Sequence, residues 1–274
     1  MATETTIYEI HVPGSLPLAK GSAHNAEIYI KAGEIDRLIL WTIKTFHEAN
    51  AALHLFNILN NEYKKDFQSI FESKNRERKN KRIDEIRATL RKRNDIAVDE
   101  LTESDLIYNR EQWERGILPH SFRENFALIQ ARGFLFAADT LSQILNVLIA
   151  DPYIPEKAKA SARQFKIEFP ELRMVRNSAH HTEDRIRSLK FPRKKIEDAI
   201  IHTKEVKKFG IHAREGIGLI MHSNLQDNTL TYITEDGNAT GFDITEANLQ
   251  KMHPILQEFI NSFDWRSFEQ NFPQ

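Results

Sequence analysis

Apolar residues recur every three or four positions along most of this chain, which is the spacing of one face of an α-helix. From residue 32 to about residue 73 the spacing predicts one long helix, or two helices joined near residues 49–52. The most apolar segment, residues 122–149, predicts the central helix, although Gly133 weakens its middle. Further helices are predicted over residues 74–93, over a short segment that starts at the capping residues 102–105 and carries Trp113, and over residues 155–169, 171–189 and 193–208.

The periodicity changes to two beyond Gly216, where alternating apolar and polar residues are typical of β-strands. Strands are predicted over residues 217–223, 229–234 and 239–243, and short turn-forming segments between them indicate a small antiparallel meander. Thr245 then caps a final amphipathic helix that covers the meander or rejoins the helical core. The apolar stripe of this helix consists of Leu249, Met252, Ile255, Leu256, Phe259 and Ile260.

The amino-terminal segment lacks helical periodicity. Pro13, Gly14, Pro17 and Gly21 interrupt it, and it predicts an extended arm with one short strand near residues 7–12. The predicted fold class is therefore mainly α, a helical bundle with a small C-terminal antiparallel β-meander and a final helix. The predicted division is an arm at 1–30, a helical domain at 31–209, and the meander with the last helix, packed on the core, at 210–274.

The composition is that of a folded protein, since 41% of the residues are hydrophobic and 28% are charged. The chain has no cysteine, which excludes disulfides, thiolate metal sites and a cysteine nucleophile. The first residues lack the charged and then apolar layout of a signal peptide, and the apolar stretches fall short of ~18 residues or carry charges. We therefore expect a cytoplasmic protein without a membrane segment.

The net charge is -1, so the molecule as a whole has no general attraction for nucleic acids or acidic membranes. Residues 74–93 are the exception, with ten basic and three acidic residues. Such a run is typical of a solvated helical face, or of an RNA-binding surface formed here by Arg78, Lys79, Lys81 and Arg82. The run contains no aromatic residue, so it does not predict a platform for stacked bases.

The segment with the most chemical content is Arg-Asn-Ser-Ala-His-His at residues 176–181. Within about one and a half turns of the predicted helix, an arginine, an asparagine and a histidine supply a permanent cation, an amide, and the side-chain type whose ordinary pKa is closest to neutral. Asn177 and His181 are four positions apart and share one helical face, as do Arg176 and His180. These are the groups needed to bind and cleave a phosphodiester.

The spacing of Arg176, Asn177 and His181 resembles the Arg-x4-His motif of the HEPN superfamily, in which a polar residue typically follows the arginine. The resemblance implies an all-helical bundle and a metal-independent endoribonuclease of toxin, abortive-infection, CRISPR or RNA-processing systems. It also implies a homodimer built around the helix 171–189, in which two copies of the motif form one composite cleft. In such a site His181 exchanges protons with the ribose 2′-hydroxyl and the leaving 5′-oxygen, Arg176 neutralises the phosphorane, and Asn177 orients the phosphate or the histidine.

The resemblance further implies an RNA substrate, products with a 2′,3′-cyclic phosphate and a 5′-hydroxyl, no cofactor, and an antitoxin or defence complex as partner. The doublet of histidines leaves the register open. The family spacing selects His181, whereas helical facing pairs Arg176 with His180, which is then an accessory residue. On this hypothesis Arg176→Ala or His181→Ala abolishes cleavage without changing the melting temperature.

The same residues permit simpler interpretations. Arg176, His180 and Glu183 can form ordinary surface pairs, and a HEPN-like fold can serve as a non-catalytic interaction or nucleotide-sensing module. Ser178 lacks the Gly-x-Ser-x-Gly elbow of a serine hydrolase, which excludes that class. No metal site is predicted, because the conceivable ligands have no specific spacing: His180, His181, Glu183, His202, His212 and His222.

Overall fold

The computed structural model describes residues 6–14, 16–18, 26–70, 73–93, 100–181, 189–190, 194–195, 223–226, 228–235, 238–266 and 270–272. These residues form a mainly helical fold with a small three-stranded antiparallel sheet and a C-terminal helix, which confirms the predicted fold class. The helices are α1 Ala26–Ile70, α2 Ser73–Arg93, α3 Glu100–Glu114, α4 His120–Ala150, α5 Glu156–Glu168, α6 Leu172–His180 and α7 Glu246–Asn261.

The long helices follow the apolar periodicity. Helix α1 is continuous through residues 49–52, which decides between the one-helix and two-helix predictions. Its buried stripe does not break there, because Ala49, Ala52 and Leu53 are all buried. Helix α3 begins before the predicted capping residues 102–105, so the predicted start was wrong. The Ser104 hydroxyl donates instead to the Leu101 carbonyl inside the first turns.

The predicted helix over residues 171–189 is also wrong in extent. Helix α6 ends at His180, and Leu189–Lys190 and Lys194–Lys195 form two short antiparallel strands, β3 and β4. The buried face of α6 consists of Leu172, Val175 and Ser178, and the sequence offers no apolar residue one turn further on. The strand β4 likewise contradicts a helix that begins at residue 193. The rest of that predicted helix, residues 196–208, lies outside the described residues.

The chain divides into two compact units. The main unit contains residues 1–54 and 130–274, and the small unit contains residues 55–129. In the main unit α5 packs on α7, and α6 packs on the sheet. In the small unit α2 packs on α3. The division predicted from the sequence, with boundaries after residues 30 and 209, stays a prediction.

The three-stranded sheet contains β5 Ser223–Gln226, β6 Thr229–Ile233 and β7 Ala239–Asp243, in that order. It confirms the antiparallel meander, although residues 217–222 of the first predicted strand lie outside the described residues. Tyr232 is buried, and its hydroxyl accepts a hydrogen bond of 2.8 Å from Nε of Arg132 on α4. Thr245 caps α7 as predicted, since its hydroxyl accepts from the Asn248 N–H.

Four further short strands join the two ends of the main unit. Strand β1 Ile10–Val12 pairs with β9 Gln270–Phe272, and β2 Leu16–Leu18 pairs with β8 Asp264–Arg266. Strand β1 confirms the short strand predicted in the arm, whereas the other three were not predicted. The Gln257 side chain on α7 also bonds the backbone N–H and carbonyl of His11, at 2.9 and 2.7 Å.

Among the described residues, one helix segment is long and apolar enough to cross a membrane by length and composition. It is Asn125–Ala150 of α4, with a mean hydropathy of 1.5. Core helices of soluble proteins meet the same criterion, and Phe134, Leu135 and Leu141 of this segment are completely buried. The segment also carries the buried charge of Asp139. Less than half of the apolar window, 44%, is buried, and the cytoplasmic location stays a prediction.

Candidate functional site

Helix α6 presents the Arg-Asn-x-x-x-His residues at its carboxyl end. The helix is short and strongly amphipathic, and Leu172, Val175 and Ser178 turn inward toward the sheet strands β6 and β7. Burial of this face fixes the rotation of the helix, so the residues between these positions are partly or fully exposed. The motif therefore lies at the carboxyl end of a helix, and the mid-helix placement expected from the sequence was wrong.

Arg176 is held by an acidic residue of α4. Its Nε lies 3.2 Å from Oδ2 of Asp139, whose side chain is 3% exposed, while the arginine side chain is 34% exposed. Burial raises the pKa of Asp139, and the Arg176 cation opposes this rise. Oδ1 of Asp139 is buried and has no hydrogen-bond partner within the described part of the chain. The ion pair thus ties α6 to α4, and Gln143 and Arg173 also act against the rise in the pKa of Asp139.

Phe136 lies one turn before Asp139 on α4, and its ring is in contact with both Arg176 and His180. The guanidinium carbon of Arg176 lies 5.9 Å from the centre of the Phe136 ring, which allows a cation–π interaction. The ring of His180 meets the same ring edge-on at 6.5 Å between centroids. Arg176 and His180 therefore lie against the same aromatic ring, on the helical face that their spacing of four predicts.

Asn177 and His181 complete the site at the helix end. Nη1 of Arg176 lies 3.3 Å from Oδ1 of Asn177, and the His181 backbone N–H donates to the Asn177 carbonyl at 3.0 Å. His181 is the exposed C-cap residue, with φ of -103° and ψ of 43°. Its ring lies 5.0 Å from that of His180, nearly perpendicular to it. All four candidate residues of the sequence thus lie within about one and a half turns, and both imidazoles reach solvent.

Sequence reasoning missed the two α4 residues of this cluster, Phe136 and Asp139. Asp139 could have been noticed, because an unpaired carboxylate inside the most apolar stretch of the chain requires a partner in the fold. Ala138, directly before it, and Leu141, two positions after it, are completely buried. The identity of the partner, Arg176, depends on how α4 and α6 pack and is not visible in local sequence.

The four predicted RNA-binding residues on α2 have different surroundings. Arg82 bonds Glu111 of α3 through Nε and Nη2, at 3.0 and 2.7 Å, and its guanidinium keeps the pKa of Glu111 below the ordinary value. Lys79 lies over the Tyr108 ring, 5.7 Å from its centre. Arg78 and Lys81 are exposed. Two of the four residues therefore join α2 to α3 within the small unit, and two face solvent.

The described residues contain no group of three or more His, Asp or Glu side chains that could hold a metal ion. The conceivable ligands Glu183, His202, His212 and His222 lie outside the described residues. Ser178 is completely buried, which agrees with its exclusion as a nucleophile. No protein-family model matches the sequence, and no curated protein or solved structure is similar enough to it to support a comparison.

Proposed function

We propose that this protein is a metal-independent endoribonuclease of HEPN type, which acts as a homodimer in prokaryotic defence or as a cytoplasmic toxin. The observation that supports the proposal is the grouping of Arg176, Asn177, His180 and His181 at the carboxyl end of α6, with both histidines exposed. A cation, an amide and two imidazoles at an accessible helix end supply the charge stabilisation and proton transfer that RNA cleavage requires.

In the proposed reaction His181 takes the proton from a ribose 2′-hydroxyl or gives one to the leaving 5′-oxygen. The 2′-oxygen forms a bond to phosphorus, the bond from phosphorus to the 5′-oxygen breaks, and the products are a 2′,3′-cyclic phosphate and a 5′-hydroxyl. Base and acid are separate roles, and a homodimer supplies two copies of His181 to fill them. His180 is the accessory residue, beside His181 and on the face of Arg176.

Arg176 stabilises the charge of the phosphorane, and Asn177 orients the phosphate or the histidine. A guanidinium has five N–H donors. The contact with Asp139 involves the donor on Nε, and the contact with Asn177 involves one donor on Nη1. The group therefore retains donors for a phosphate while Asp139 fixes its position, and its partial exposure allows an RNA strand to reach it.

The test is incubation of the purified protein with total RNA in excess EDTA, followed by analysis of the fragment ends. The wild type is compared with His181→Ala, His180→Ala and Arg173→Ala; Arg173 is an exposed cation on the same helix outside the motif. We expect EDTA-resistant cleavage with cyclic phosphate ends that only His181→Ala abolishes. Loss in His180→Ala alone would assign the catalytic role to His180, and cleavage retained in both histidine variants would reject the site.

A second candidate function is a non-catalytic HEPN-like interaction or nucleotide-sensing module. The observation that favours it is the pairing of Arg176 with the buried Asp139 in the same chain, which is how a structural arginine joins two helices. On this alternative, affinity capture from cell extract yields one stoichiometric protein partner, such as an antitoxin or defence-complex subunit, and RNA stays intact after long incubation.

A further inference from the structure

One face of α2 is covered and the opposite face is open. Ile83 and Ile86 are buried, and α2 packs on α3 on this side. Arg87 supports the same contact, since its Nε donates to the Ser104 hydroxyl of α3 at 3.2 Å. These contacts fix the rotation of α2 within the small unit and therefore determine which residues point away from α3.

Four exposed cations lie on the open face: Lys74, Arg78, Lys81 and Lys92, which we call the α2 stripe. At ~3.6 residues per turn, all four fall within about 40° of one line along the helix, opposite Ile83 and Ile86. At ~1.5 Å per residue the stripe extends over roughly 27 Å. A straight row of this length can follow several consecutive phosphates of a nucleic acid strand.

The acidic residues of α2 offset part of the charge of this row. Glu85 lies on the same face; its carboxylate accepts from Arg82 at 2.9 Å, and the same guanidinium also bonds Glu111 of α3. Asp84, further round the helix, pairs with Arg87 at 3.4 Å. Glu77 lies beside the stripe, rotated from its line by about 60° around the helix axis at ~3.6 residues per turn. The open face therefore carries four cations against one carboxylate, on a molecule whose net charge is -1.

We propose that the α2 stripe binds the phosphate backbone of single-stranded RNA without reading its sequence. The choice of RNA rests on the proposed function, whereas the choice of phosphate rests on the charges. The apolar face of α2 is already buried on α3, so the helix has no free apolar face to insert into a lipid surface. The run 74–93 has no aromatic side chain on which bases stack, which leaves backbone contact as the mode of binding.

The inference revises the set of residues expected from the sequence. Lys79 and Arg82 are engaged with Tyr108 and Glu111, whereas Lys74 and Lys92 join Arg78 and Lys81 on the open face. Replacement of Lys79 or Arg82 would disturb the contact between α2 and α3. Replacement of the stripe residues removes exposed charge only.

The experiment measures fluorescence anisotropy of a labelled 2′-O-methyl RNA, which cannot form a cyclic phosphate, so binding is separated from cleavage. The test variant neutralises the α2 stripe with Lys74→Gln, Arg78→Gln, Lys81→Gln and Lys92→Gln. The matched control removes four exposed cations elsewhere, with Lys157→Gln, Arg163→Gln, Lys166→Gln and Lys251→Gln. Circular dichroism and thermal unfolding check that both variants fold like the wild type.

Each single-strand phosphate contact contributes ~0.7 to the slope of log affinity against log salt. Four contacts make wild-type affinity fall roughly 50-fold between 50 and 200 mM salt, and we expect the stripe variant to lose most of this dependence while the control keeps it. Equal losses in both variants, or an unchanged stripe variant, would overturn the proposal. Unlabelled RNA of a different sequence should compete with the labelled RNA. Competition by phosphatidylserine vesicles, and not by this RNA, would also overturn the proposal. Failure of cleavage with intact stripe-dependent binding would reject only the nuclease proposal.

Discussion

The substitution Arg176→Met removes the guanidinium but keeps an unbranched side chain against Phe136, and it takes away the cation that contacts the buried Asp139 carboxylate. Removal of one partner from a fully buried ion pair costs ~3–5 kcal/mol. Because the arginine side chain is 34% exposed, solvent already screens part of the attraction, and we expect a cost of about 2 kcal/mol in the free energy of unfolding at pH 7.

The pH dependence distinguishes this cause from a loss of packing. Burial raises the pKa of Asp139 above its ordinary value of 3.8, so the folded state binds a proton more readily than the unfolded state. The contribution of Asp139 to the free energy of unfolding is therefore fully present below the ordinary pKa of 3.8, and it is lost as the pH rises through the raised pKa of the folded state. Without the Arg176 cation the pKa rises further, and we expect the cost of Arg176→Met to shrink between pH 7 and pH 4.

The assay is urea unfolding of the wild type, Arg176→Met, Asp139→Asn and the double variant at both pH values. The double variant buries no charge. We therefore expect its loss in free energy of unfolding to be about 1–2 kcal/mol smaller than the sum of the losses in the two single variants. A cost of Arg176→Met that is equal at pH 7 and pH 4, or single costs that simply add, would refute the reasoning. The sequence alone suggested an unchanged melting temperature for Arg176→Ala, whereas the buried Asp139 predicts a lower one, so the histidine variants are the cleaner test of catalysis.

Three further predictions concern the main unit, each measured by urea unfolding. Tyr232→Phe removes the acceptor of the Arg132 hydrogen bond and should cost about 1–2 kcal/mol, and a neutral effect would mean that Arg132 finds another acceptor. Gly241→Ala places a methyl group 2.7 Å from Cγ2 of Thr229 on β6, and we expect the free energy of unfolding to fall by about 1–3 kcal/mol. An unchanged value would mean that β6 moves aside without cost. Thr245→Ala removes the N-terminal cap of α7 and should lower the free energy of unfolding by about 1 kcal/mol, whereas Thr245→Ser keeps the capping hydroxyl and should lose little of this stability.

The parts of the fold that sequence predicted well are those fixed by local periodicity. The long helices and the meander each repeat one apolar pattern over enough residues to identify the element. Helix α6 was predicted too long, because Pro170 and helix-forming residues indicated a start but burial against the sheet determines the end. The motif residues were predicted, whereas Asp139 and Phe136 were not, since an ion pair between α4 and α6 is a property of packing.

The pairing of β1 with β9 and of β2 with β8 has a consequence for synthesis on the ribosome. His11 and its α7 partner Gln257 are 246 positions apart, and the strand partners of β1 and β2 are made later still. Contacts so distant in sequence form slowly, because closing a long loop lowers the chain entropy before the contacts form and stabilise the fold. The first strands therefore emerge long before their partners, so a chain interrupted before residue 264 lacks both strand pairs.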